Sequence, residues 1–390
     1  MISPPGGLLL YNGATSGTGY KIGAAFPVDA SYIYWSKSLS NPVLSPGLSG
    51  AWDDAEVKDP ALVKVAGTYH LFYAGQDGST YKVGKATSTD GITWTKDASN
   101  PVLTTGGASA WDEAQVSFPF VVHDLDEADS SRRWKMWYAG SAAATPEKFS
   151  VGYAYSSDGV TWTKYANNPV VSPGTAGAWD DEGCISPAVY RTASNDWTLF
   201  YGGRPQTGGT SNYKIGRVTF SNPEGTYTKD GSNPVISPST AIENLSANMA
   251  AGARTLSVAD TTGFSVGEPV FLRDTTGAIQ QSKITAIVAN ASITIADDTS
   301  RAWTTANTAT IRSAYYESIT PKSIVLVGST FVLYGTAFQQ FSGSPFQERS
   351  VAWTAASIGG VFSVDHARGV FLALGSWDSA SAENPAVVTS

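Results

Sequence analysis

The sequence predicts an all-β fold, a five-bladed β-propeller closed by strands from both ends of the chain. Three observations lead to this prediction. The 390 residues include 39 glycines and 20 prolines, which is typical of many short strands joined by tight turns. One strand pattern recurs along the chain, with a period of roughly sixty to seventy residues. The two chain ends also match complementary parts of a single repeat.

Each repeat opens on Asn-Pro-Val-Leu or a close variant, with copies that begin at Asn41, Asn100, Asn168 and Asn233. Two apolar runs recur five times: LLLYNG, HLFYAG, KMWYAG, TLFYGG and FVLYGT, then YKIGAA, YKVGKA, FSVGYA, YKIGRV and RSVAWT. Such runs, rich in β-branched and aromatic residues, predict antiparallel strands. A single small sheet cannot bury both faces, so five copies predict five sheets packed radially as blades.

The two ends of the chain are expected to share one blade. GSWDSASAENPAVV (375–388) aligns with GAWDDAEVKDPALV (50–63), the first and innermost strand of a repeat. The chain starts, however, with LLLYNG, which aligns with the second strand of the other repeats. The alignment therefore predicts that 375–388 forms the innermost strand of a blade whose remaining strands come from the N-terminus.

One segment departs from the repeat. Residues 243–313 carry alternating apolar residues with Gly and Asp turns, which predicts a small β-barrel or sandwich inserted in one loop. The propeller is then expected to span 1–242 and 314–390. The insert resembles a short module of phage tail and other virion proteins, on the basis of GFSVGEPV (263–270) followed by the strand ITAI (284–287).

Composition excludes several classes of function. The net charge is -8 and no Lys/Arg cluster is visible, so neither nucleic acid nor an anionic membrane is an expected partner. One cysteine, Cys184, excludes an intramolecular disulfide and is interpreted as a core residue. No CxxC, HExxH or EF-hand spacing occurs, so no metal or cofactor is predicted.

The location of the protein follows from what its N-terminus lacks. MISPPGGLLLYNG contains no basic region and no long apolar stretch, and no window of the chain approaches a membrane span. A signal peptide is therefore not expected. Together with the virion-like insert, this predicts a protein of the virion or one released by lysis, and otherwise a cytoplasmic one.

Two repeated motifs are interpreted mainly as scaffold. Asp90-Gly91 and Asp158-Gly159 lie between third and fourth strands, where Asp-Gly favours a two-residue hairpin turn. They resemble the Asp-box of sialidases with one residue missing. Trp-Asp pairs occupy equivalent places in four blades, with the Trp expected to pack between blades and the Asp to accept backbone hydrogen bonds. Their tryptophans could also stack on sugars: Trp52, Trp111, Trp179 and Trp377.

Candidate chemistry appears where the repeats differ. The residue before the innermost proline is Asp59, Phe118, Ser186, Thr320 or Asn384, and the residue two before it is Lys58, Ser117, Ile185, Ile319 or Glu383. Asp59 and Glu383 are therefore singular acids, in blades that become neighbours if the ring closes. Loops joining second and third strands also vary in length, which is typical of functional loops on a repeated scaffold.

On these residues the chain resembles the five-bladed glycoside hydrolases, which include invertases, levansucrases, arabinanases, β-xylosidases and mannoside phosphorylases. Lys58-Asp59-Pro60 matches the middle acidic element of that group, and Glu383-Asn384-Pro385 has the form of its acid element. The resemblance implies Asp59 as base or nucleophile and Glu383 as general acid. The chain departs from the pattern of that group in two ways. Glu383 lies one blade before Asp59, whereas the acid of the group lies one blade after the middle Asp. No third Asp occupies an equivalent place. Hydrolysis needs two carboxylates about 5 to 9.5 Å apart.

Three functions stay open at this stage. The first is a glycan-recognising propeller on a virion, in which the catalytic set is degraded and carbohydrate is the partner. The second is an active glycoside hydrolase using Asp59 and Glu383. The third is a decoration or adaptor protein whose 243–313 insert contacts other virion proteins. Residues expected to bind the carbohydrate are Lys58, Trp52, Trp111, Trp179, Trp377, Glu182, Arg204 and Tyr213.

Overall fold

The structure, a computed structural model, is built from β-strands. Short 3₁₀ turns lie at Ser130–Arg132 and Thr305–Asn307. No helix in the part of the chain that is described is long and apolar enough to cross a membrane. The predominance of strands among the described residues confirms the predicted all-β class. The residues described are 8–14, 19–27, 35–142, 148–193, 195–205, 213–235, 241–264, 266, 269–276, 279–313, 321–327, 330–335, 340–342, 347–349, 358–367 and 370–377.

The first strands are β1 (Leu9–Gly13), β2 (Lys21–Pro27) and β3 (Trp35–Lys37). Three sheets of four antiparallel strands follow in chain order. Sheet one contains β4 (Glu56–Val65), β5 (Thr68–Gln76), β6 (Tyr81–Ser88) and β7 (Thr95–Lys96). Sheet two contains β8 (Gln115–His123), β9 (Trp134–Ser141), β10 (Ser150–Ser156) and β11 (Thr163–Lys164). Sheet three contains β12 (Gly183–Ala193), β13 (Asp196–Arg204), β14 (Lys214–Phe220) and β15 (Thr228–Lys229).

The inserted segment forms a sheet of its own, in the order β16-β21-β18-β19-β20-β17. Its strands are β16 (Ile242–Asn244), β17 (Thr255–Ser257), β18 (Pro269–Arg273), β19 (Ile279–Val288), β20 (Ser292–Ile295) and β21 (Thr310–Ser313). A bridge from Leu245 to Val258 joins the two edges of this sheet and closes it as a small barrel. Trp303 is fully buried in a hydrophobic cluster whose members all lie between Ala241 and Ile311.

The last strands are β22 (Pro321–Val327), β23 (Thr330–Gly335), β24 (Gln340–Ser342), β25 (Gln347–Arg349), β26 (Ile358–Ala367) and β27 (Val370–Trp377). β27 pairs in parallel with β1, so that Tyr11 lies opposite Gly375 in the sheet β26-β27-β1-β2-β3. Strands from both ends of the chain therefore share one sheet, as predicted.

The strand that the C-terminus contributes differs from the prediction for 375–388. Residues 375–377 belong to β27, which is the second strand of an antiparallel hairpin with β26, and 378–390 lie outside the described residues. The hairpin segments IGGVFSVDHA and VFLALGSW are rich in β-branched and aromatic residues, whereas SASAENPA is not. Segments of this composition favour β-strands.

The inner strands follow one another as neighbours around a ring. β4 contacts β8, β8 contacts β12, β12 contacts β22, β22 contacts β26 and β26 contacts β4. Hydrophobic clusters fill the spaces between adjacent sheets; one joins Phe72 and Val83 of sheet one to Val116 and Met136 of sheet two. This is the packing of a propeller-type fold. The number of five blades stays a prediction.

The repeated Asn of each Asn-Pro pair extends the hydrogen bonding of a third strand. The Oδ1 atom of Asn100 accepts a hydrogen bond from Lys85 N at 2.7 Å, and its Nδ2 atom donates to Lys85 O at 2.8 Å. Asn41, Asn168 and Asn233 make the same pair of bonds with Ala24, Tyr153 and Arg217. The asparagine side chain thus satisfies backbone groups that a further strand would otherwise pair.

In sheets one, two and three, the Asp of the Trp-Asp pair links strands within its own sheet. The Oδ2 atom of Asp112 accepts a hydrogen bond from the Tyr138 hydroxyl at 3.1 Å and lies 2.6 Å from Lys164 Nζ. Asp53 and Asp180 repeat this arrangement with Tyr73 and Lys96, and with Tyr201 and Lys229. The partners are side chains of the second and fourth strands, and not the loop backbone that the sequence suggested.

The Asp-Gly turns are longer than predicted. Six residues, 89–94, separate β6 from β7, where the composition indicated a two-residue hairpin turn. Asp90 Oδ1 accepts hydrogen bonds from Ile92 N and Thr93 N, both at 2.8 Å, and these bonds hold the pKa of the Asp90 carboxyl down at about 2. The Asp therefore organises a wider turn, because its side chain replaces the missing backbone acceptors.

Replacing Asp112 by Ala should destabilise the protein by about 2 to 3 kcal/mol, because a buried hydroxyl and an ammonium both lose their acceptor. Urea unfolding measures the effect, with Glu113→Gln as the matched exposed control. In a double-mutant cycle with Lys164→Met, the two single changes should sum to more than the double change. Simple additivity would show that Asp112 and Lys164 do not act as a pair.

Candidate functional site

The predicted site positions lie on a β-bulge that recurs in three inner strands. The pairing register shifts between Lys58 and Ala61 of β4, and at the equivalent places of β8 and β12. The residue before the proline has a positive φ in each case, 51° at Asp59, 49° at Phe118 and 50° at Ser186. Because the bulge is repeated in three sheets, we interpret it as part of the scaffold. The side chains at its equivalent positions are a carboxylate, an aromatic ring and a hydroxyl.

Asp59 is tied to the N-terminal strand. The residue is buried, with 4% of its surface exposed, and its backbone N donates a hydrogen bond to Asn12 Oδ1 at 3.1 Å. Asn12 belongs to β1, so the sheet that joins the chain ends also supports Asp59. Glu383, its predicted partner, lies outside the described residues. The pairing of Asp59 with Glu383 therefore stays a prediction.

Lys58 belongs to a compact polar group at the start of β4 and β6. Its Nζ atom donates to the Tyr81 hydroxyl at 2.7 Å and lies 3.4 Å from Glu56 Oε1. The Tyr81 hydroxyl also donates to Glu56 and accepts from Gln76 Nε2 at 2.7 Å. Every hydrogen-bonding position of this hydroxyl is thereby used. We call Glu56, Lys58, Asp59 and Tyr81 the polar wall.

The charges of the polar wall stabilise one another. Burial alone would raise the pKa of the Glu56 carboxyl, but the hydrogen bond from Tyr81 and the charge of Lys58 hold it below its usual value. Burial alone would lower the pKa of Lys58, but the charges of Asp59 and Glu56 and its contact with Tyr81 raise it. Both groups are therefore ionised near neutral pH.

Around the next two inner strands, β8 and β12, the side chains at the site are mainly apolar. Phe118 and Tyr213 pack against a buried cluster that contains Phe149 and Ile185, and the Phe118 and Phe149 ring centroids lie 6.3 Å apart. Arg204 places its guanidinium 6.0 Å from the Tyr213 ring centroid, and its carbonyl accepts a hydrogen bond from Glu182 N at 2.9 Å. The aromatic and aliphatic members, Phe118, Phe149, Ile185 and Tyr213, are called the apolar wall.

The predicted sugar-stacking tryptophans are used for packing. Trp52 lies so close to two glycines of its own sheet that a Cβ at Gly84 would come within 2.7 Å of its Cζ2 atom, and one at Gly75 within 2.8 Å of Cζ3. Trp111 and Trp179 cover glycines of sheets two and three in the same way. Trp377 ends β27, and its side chain lies outside the described part. Stacking on sugars stays a prediction for all four.

Sequence reasoning missed Tyr81, Gln76 and Phe149. A signal was present, because YKVG, FSVG and YKIG place an aromatic residue at or just before the beginning of the third strand in sheets one, two and three. That position was interpreted only as the beginning of a strand. In the structure it faces the inner strand, where Tyr81 binds Lys58 and Phe149 packs on Ile185.

Among the residues that the structure describes, no group of three or more His, Cys, Asp or Glu side chains is placed to hold a metal ion. The side chains of the two walls offer hydrogen bonds, charges and apolar contact. Glu56 and Asp59 offer carboxylate acceptors, and Phe118 and Tyr213 offer ring faces or edges. This combination suits a ligand with many hydroxyl groups and an apolar face.

The fold and these walls define a propeller of the glycoside hydrolase type. The family model of the β-1,4-mannooligosaccharide phosphorylases, glycoside hydrolase family 130, matches residues 35–248. That match takes in more than half of the chain, and the chain belongs to this family. The predicted resemblance to glycoside hydrolases with a propeller fold is confirmed, whereas the likeness of the insert to a virion module and of the propeller to the invertase-type families stays a prediction.

Two curated relatives are uncharacterized proteins of Mycobacterium tuberculosis, from strains CDC 1551 and H37Rv. Each is 27% identical over 163 residues, 40% of this chain and 50% of the relative. The chain thus matches about half the length of these relatives. Among solved structures, a β-1,2-mannobiose phosphorylase of Listeria innocua is 9% identical with a TM-score of 0.46, covering 89% of this chain and 81% of that one. A family 117 glycoside hydrolase of Zobellia galactanivorans is 15% identical with a TM-score of 0.43, covering 66% and 74%.

Replacing Tyr81 by Phe should raise the pKa of Glu56, because the carboxylate loses its hydroxyl donor. A depressed carboxyl pKa stabilises the fold above the unfolded value near 4.5, and this contribution is lost as the pH falls through the folded pKa. The variant should therefore lose about 1 kcal/mol more at pH 7 than at pH 3. Urea unfolding at both pH values measures it.

Tyr69→Phe is the matched control, since the Tyr69 hydroxyl accepts from Lys64 Nζ at 3.0 Å and contacts no carboxylate of the polar wall. Its cost should be the same at pH 7 and pH 3. An equal cost of Tyr81→Phe at the two pH values would contradict the proposed stabilisation of Glu56.

Proposed function

We propose that this protein binds an oligosaccharide at the mouth of its ring of inner strands, between the polar wall and the apolar wall. The observation that carries the proposal is the change of side-chain character across equivalent positions of β4, β8 and β12. Membership of a carbohydrate-active family supports it independently. A β-linked mannooligosaccharide is the first ligand class to test, because the family description names it.

The chemistry of a sugar ring fits two such walls. A pyranose has an apolar C–H face that packs on Phe or Tyr side chains, and hydroxyl groups at its edge that donate to carboxylates. Glu56, Lys58 and Asp59 together carry one net negative charge, so the polar wall favours hydroxyl donors over anionic groups. Recognition would therefore rest on neutral sugar rings.

Turnover is the second candidate function, and family membership favours it. Hydrolysis needs two carboxylates across the scissile bond, and the positions equivalent to Asp59 on β8 and β12 hold Phe118 and Ser186. In phosphorolysis, a phosphate oxygen attacks the anomeric carbon, the glycosidic C–O bond breaks and an acid protonates the leaving oxygen. Phosphorolysis therefore needs only one acid. Glu383 would be that acid, because its motif resembles the acid element of the group, and Arg204 would be a cation beside the apolar wall.

Binding is tested by calorimetry with β-1,4-mannobiose and mannotriose, and with cellobiose as the epimeric comparison. We expect saturable binding to wild type, and at least a tenfold weaker Kd for Asp59→Asn and for Phe149→Ala, which remove one acceptor or one apolar contact. Asp129→Asn changes an exposed carboxylate of the loop between β8 and β9 and should leave the Kd unchanged.

The same sugars are then incubated with and without inorganic phosphate. Release of a sugar phosphate by wild type, and its loss in Asp59→Asn, would establish turnover in place of recognition alone. Absence of both binding and product across a panel of β-linked oligosaccharides would overturn the proposed function.

The insert supports a further element of the proposal, attachment to other proteins of a virion. Its sequence resembles a virion module, and its barrel has its own core, so it can act as a separate contact surface. A variant in which 243–313 is replaced by a short Gly/Ser linker should keep the unfolding transition of the propeller. We expect the intact chain to co-sediment with phage particles, and this variant should no longer do so. Failure of the intact chain to sediment with particles would remove the virion assignment.

A further inference from the structure

A group of basic side chains lies between sheets one and two, at the end of the strands opposite the candidate sugar site. His70 of β5 and His123 of β8 place their rings 5.1 and 4.5 Å from the ring centroid of Trp134. Lys85 of β6 lies behind them, with Nζ 5.8 Å from the Trp134 centroid. Trp162 completes the group through its edge contact with Phe72, 5.7 Å between centroids. We call His70, Lys85, His123 and Trp162 the basic cluster.

Lys85 is buried without a counterion. Only 4% of its surface is exposed, and Nζ donates to the carbonyl of Asp158 at 3.4 Å. No carboxylate of the described residues lies within 4.0 Å of this ammonium. The Asp158 carboxylate is occupied within its own turn, where it accepts from Val160 N and Thr161 N at 2.8 Å each. A buried ammonium whose charge no carboxylate offsets costs several kcal/mol.

The next interface shows how the same architecture neutralises a buried lysine. Lys135 has 1% of its surface exposed, and its Nζ atom lies 2.9 Å from Glu127 Oε2 and 3.6 Å from Asp124 Oδ2. Arg191 of sheet three binds the same Asp124 through Nη1 at 2.8 Å. Carboxylates therefore balance the cations between sheets two and three. The basic cluster between sheets one and two contains no such group.

Two further nitrogen atoms of the basic cluster are buried without a hydrogen-bond partner, His70 Nδ1 and Trp162 Nε1. The equivalent Trp94 of sheet one donates its Nε1–H to Gly91 O at 3.1 Å, so the fold can satisfy this indole when nothing else requires it. Lys85 and Trp162 are donors at neutral pH, and His70 becomes one when Nδ1 is protonated. Two buried nitrogen atoms without a partner, together with an ammonium whose charge no carboxylate offsets, fit an oxyanion.

We propose that the basic cluster binds a small tetrahedral oxyanion between sheets one and two. The anion accepts hydrogen bonds from the Lys85 ammonium, the Trp162 indole and the protonated His70 ring, and takes the place that Glu127 and Asp124 fill in the neighbouring interface. His70, His123 and Trp162 are each partly exposed and give access from solvent, whereas Lys85 forms the closed end. This site is separate from the proposed sugar site.

Binding should be coupled to proton uptake. Burial, together with the nearby charges of Lys85 and His123, lowers the pKa of His70 to about 4, and burial with the charge of Arg133 lowers the pKa of His123. Asp97 and Asp158 act on Lys85 and Asp124 acts on His123 in the opposite direction, without overcoming burial. An anion favours the charged imidazole, so its affinity should rise as the pH falls from 8 to 6.

Thermal unfolding of the full chain with increasing sodium phosphate, against sodium chloride at equal ionic strength, tests the proposal. We expect a saturable rise in Tm with phosphate only, with at least a threefold tighter apparent Kd at pH 6 than at pH 8. Lys85→Met should abolish the saturable rise. Lys64→Met, a change of an exposed lysine on β4, should keep it, and so should Arg204→Met at the sugar site.

If Lys85→Met does not fold, Trp162→Phe provides the second variant, since it keeps a ring and removes the indole N–H; its apparent Kd should be at least fivefold weaker. Absence of a saturable phosphate effect in wild type would overturn the proposal. So would an effect that is lost in Arg204→Met and kept in Lys85→Met, because the anion would then bind at the sugar site.

Discussion

The parallel pairing of β27 with β1 is the interaction on which the rest of the structure depends. A sheet of four strands buries its faces only against neighbouring sheets, so a ring of such sheets must be closed by some contact. Here strands from opposite ends of the chain make that contact within one sheet. The candidate site is tied to the same closure, since Asn12 of β1 accepts the hydrogen bond of Asp59 N.

Repetition and departure from it separate scaffold from function in this molecule. The bulge before the inner proline, the Asn-Pro bonds and the Asp–Tyr–Lys links recur from sheet to sheet. Side chains that differ at equivalent positions mark places where the fold itself makes no demand. The polar wall, the apolar wall and the basic cluster are all such places, and each has a character that its counterparts in the other sheets lack.

Electrostatics distinguishes the two ends of the propeller. At the mouth, Glu56, Asp59 and Lys58 compensate one another, which favours neutral ligands with hydroxyl groups. At the other end, Lys85 and two histidines gather without a carboxylate in contact, which favours an anion. Because the two sites lie at opposite ends of β6, occupation of one can be tested without changing residues of the other.

The sequence alone determined the all-β class, the repeated strands and the shared closing sheet. Strand periodicity and turn composition are local properties, and five imperfect copies reinforce one another. The sequence also predicted that Asp59 is a singular acid on an inner strand, because this follows from aligning the repeats with one another.

Only the tertiary structure decided which side chains meet. Tyr81 lies 25 residues from Glu56 and binds it because the register of β4, β5 and β6 brings them together. The same holds for the tryptophans that cover glycines, for Lys85 behind Trp134, and for the hairpin of β26 and β27 that contains residues 375–377. These contacts depend on pairing register and on packing between distant strands, and a local pattern does not encode either of them.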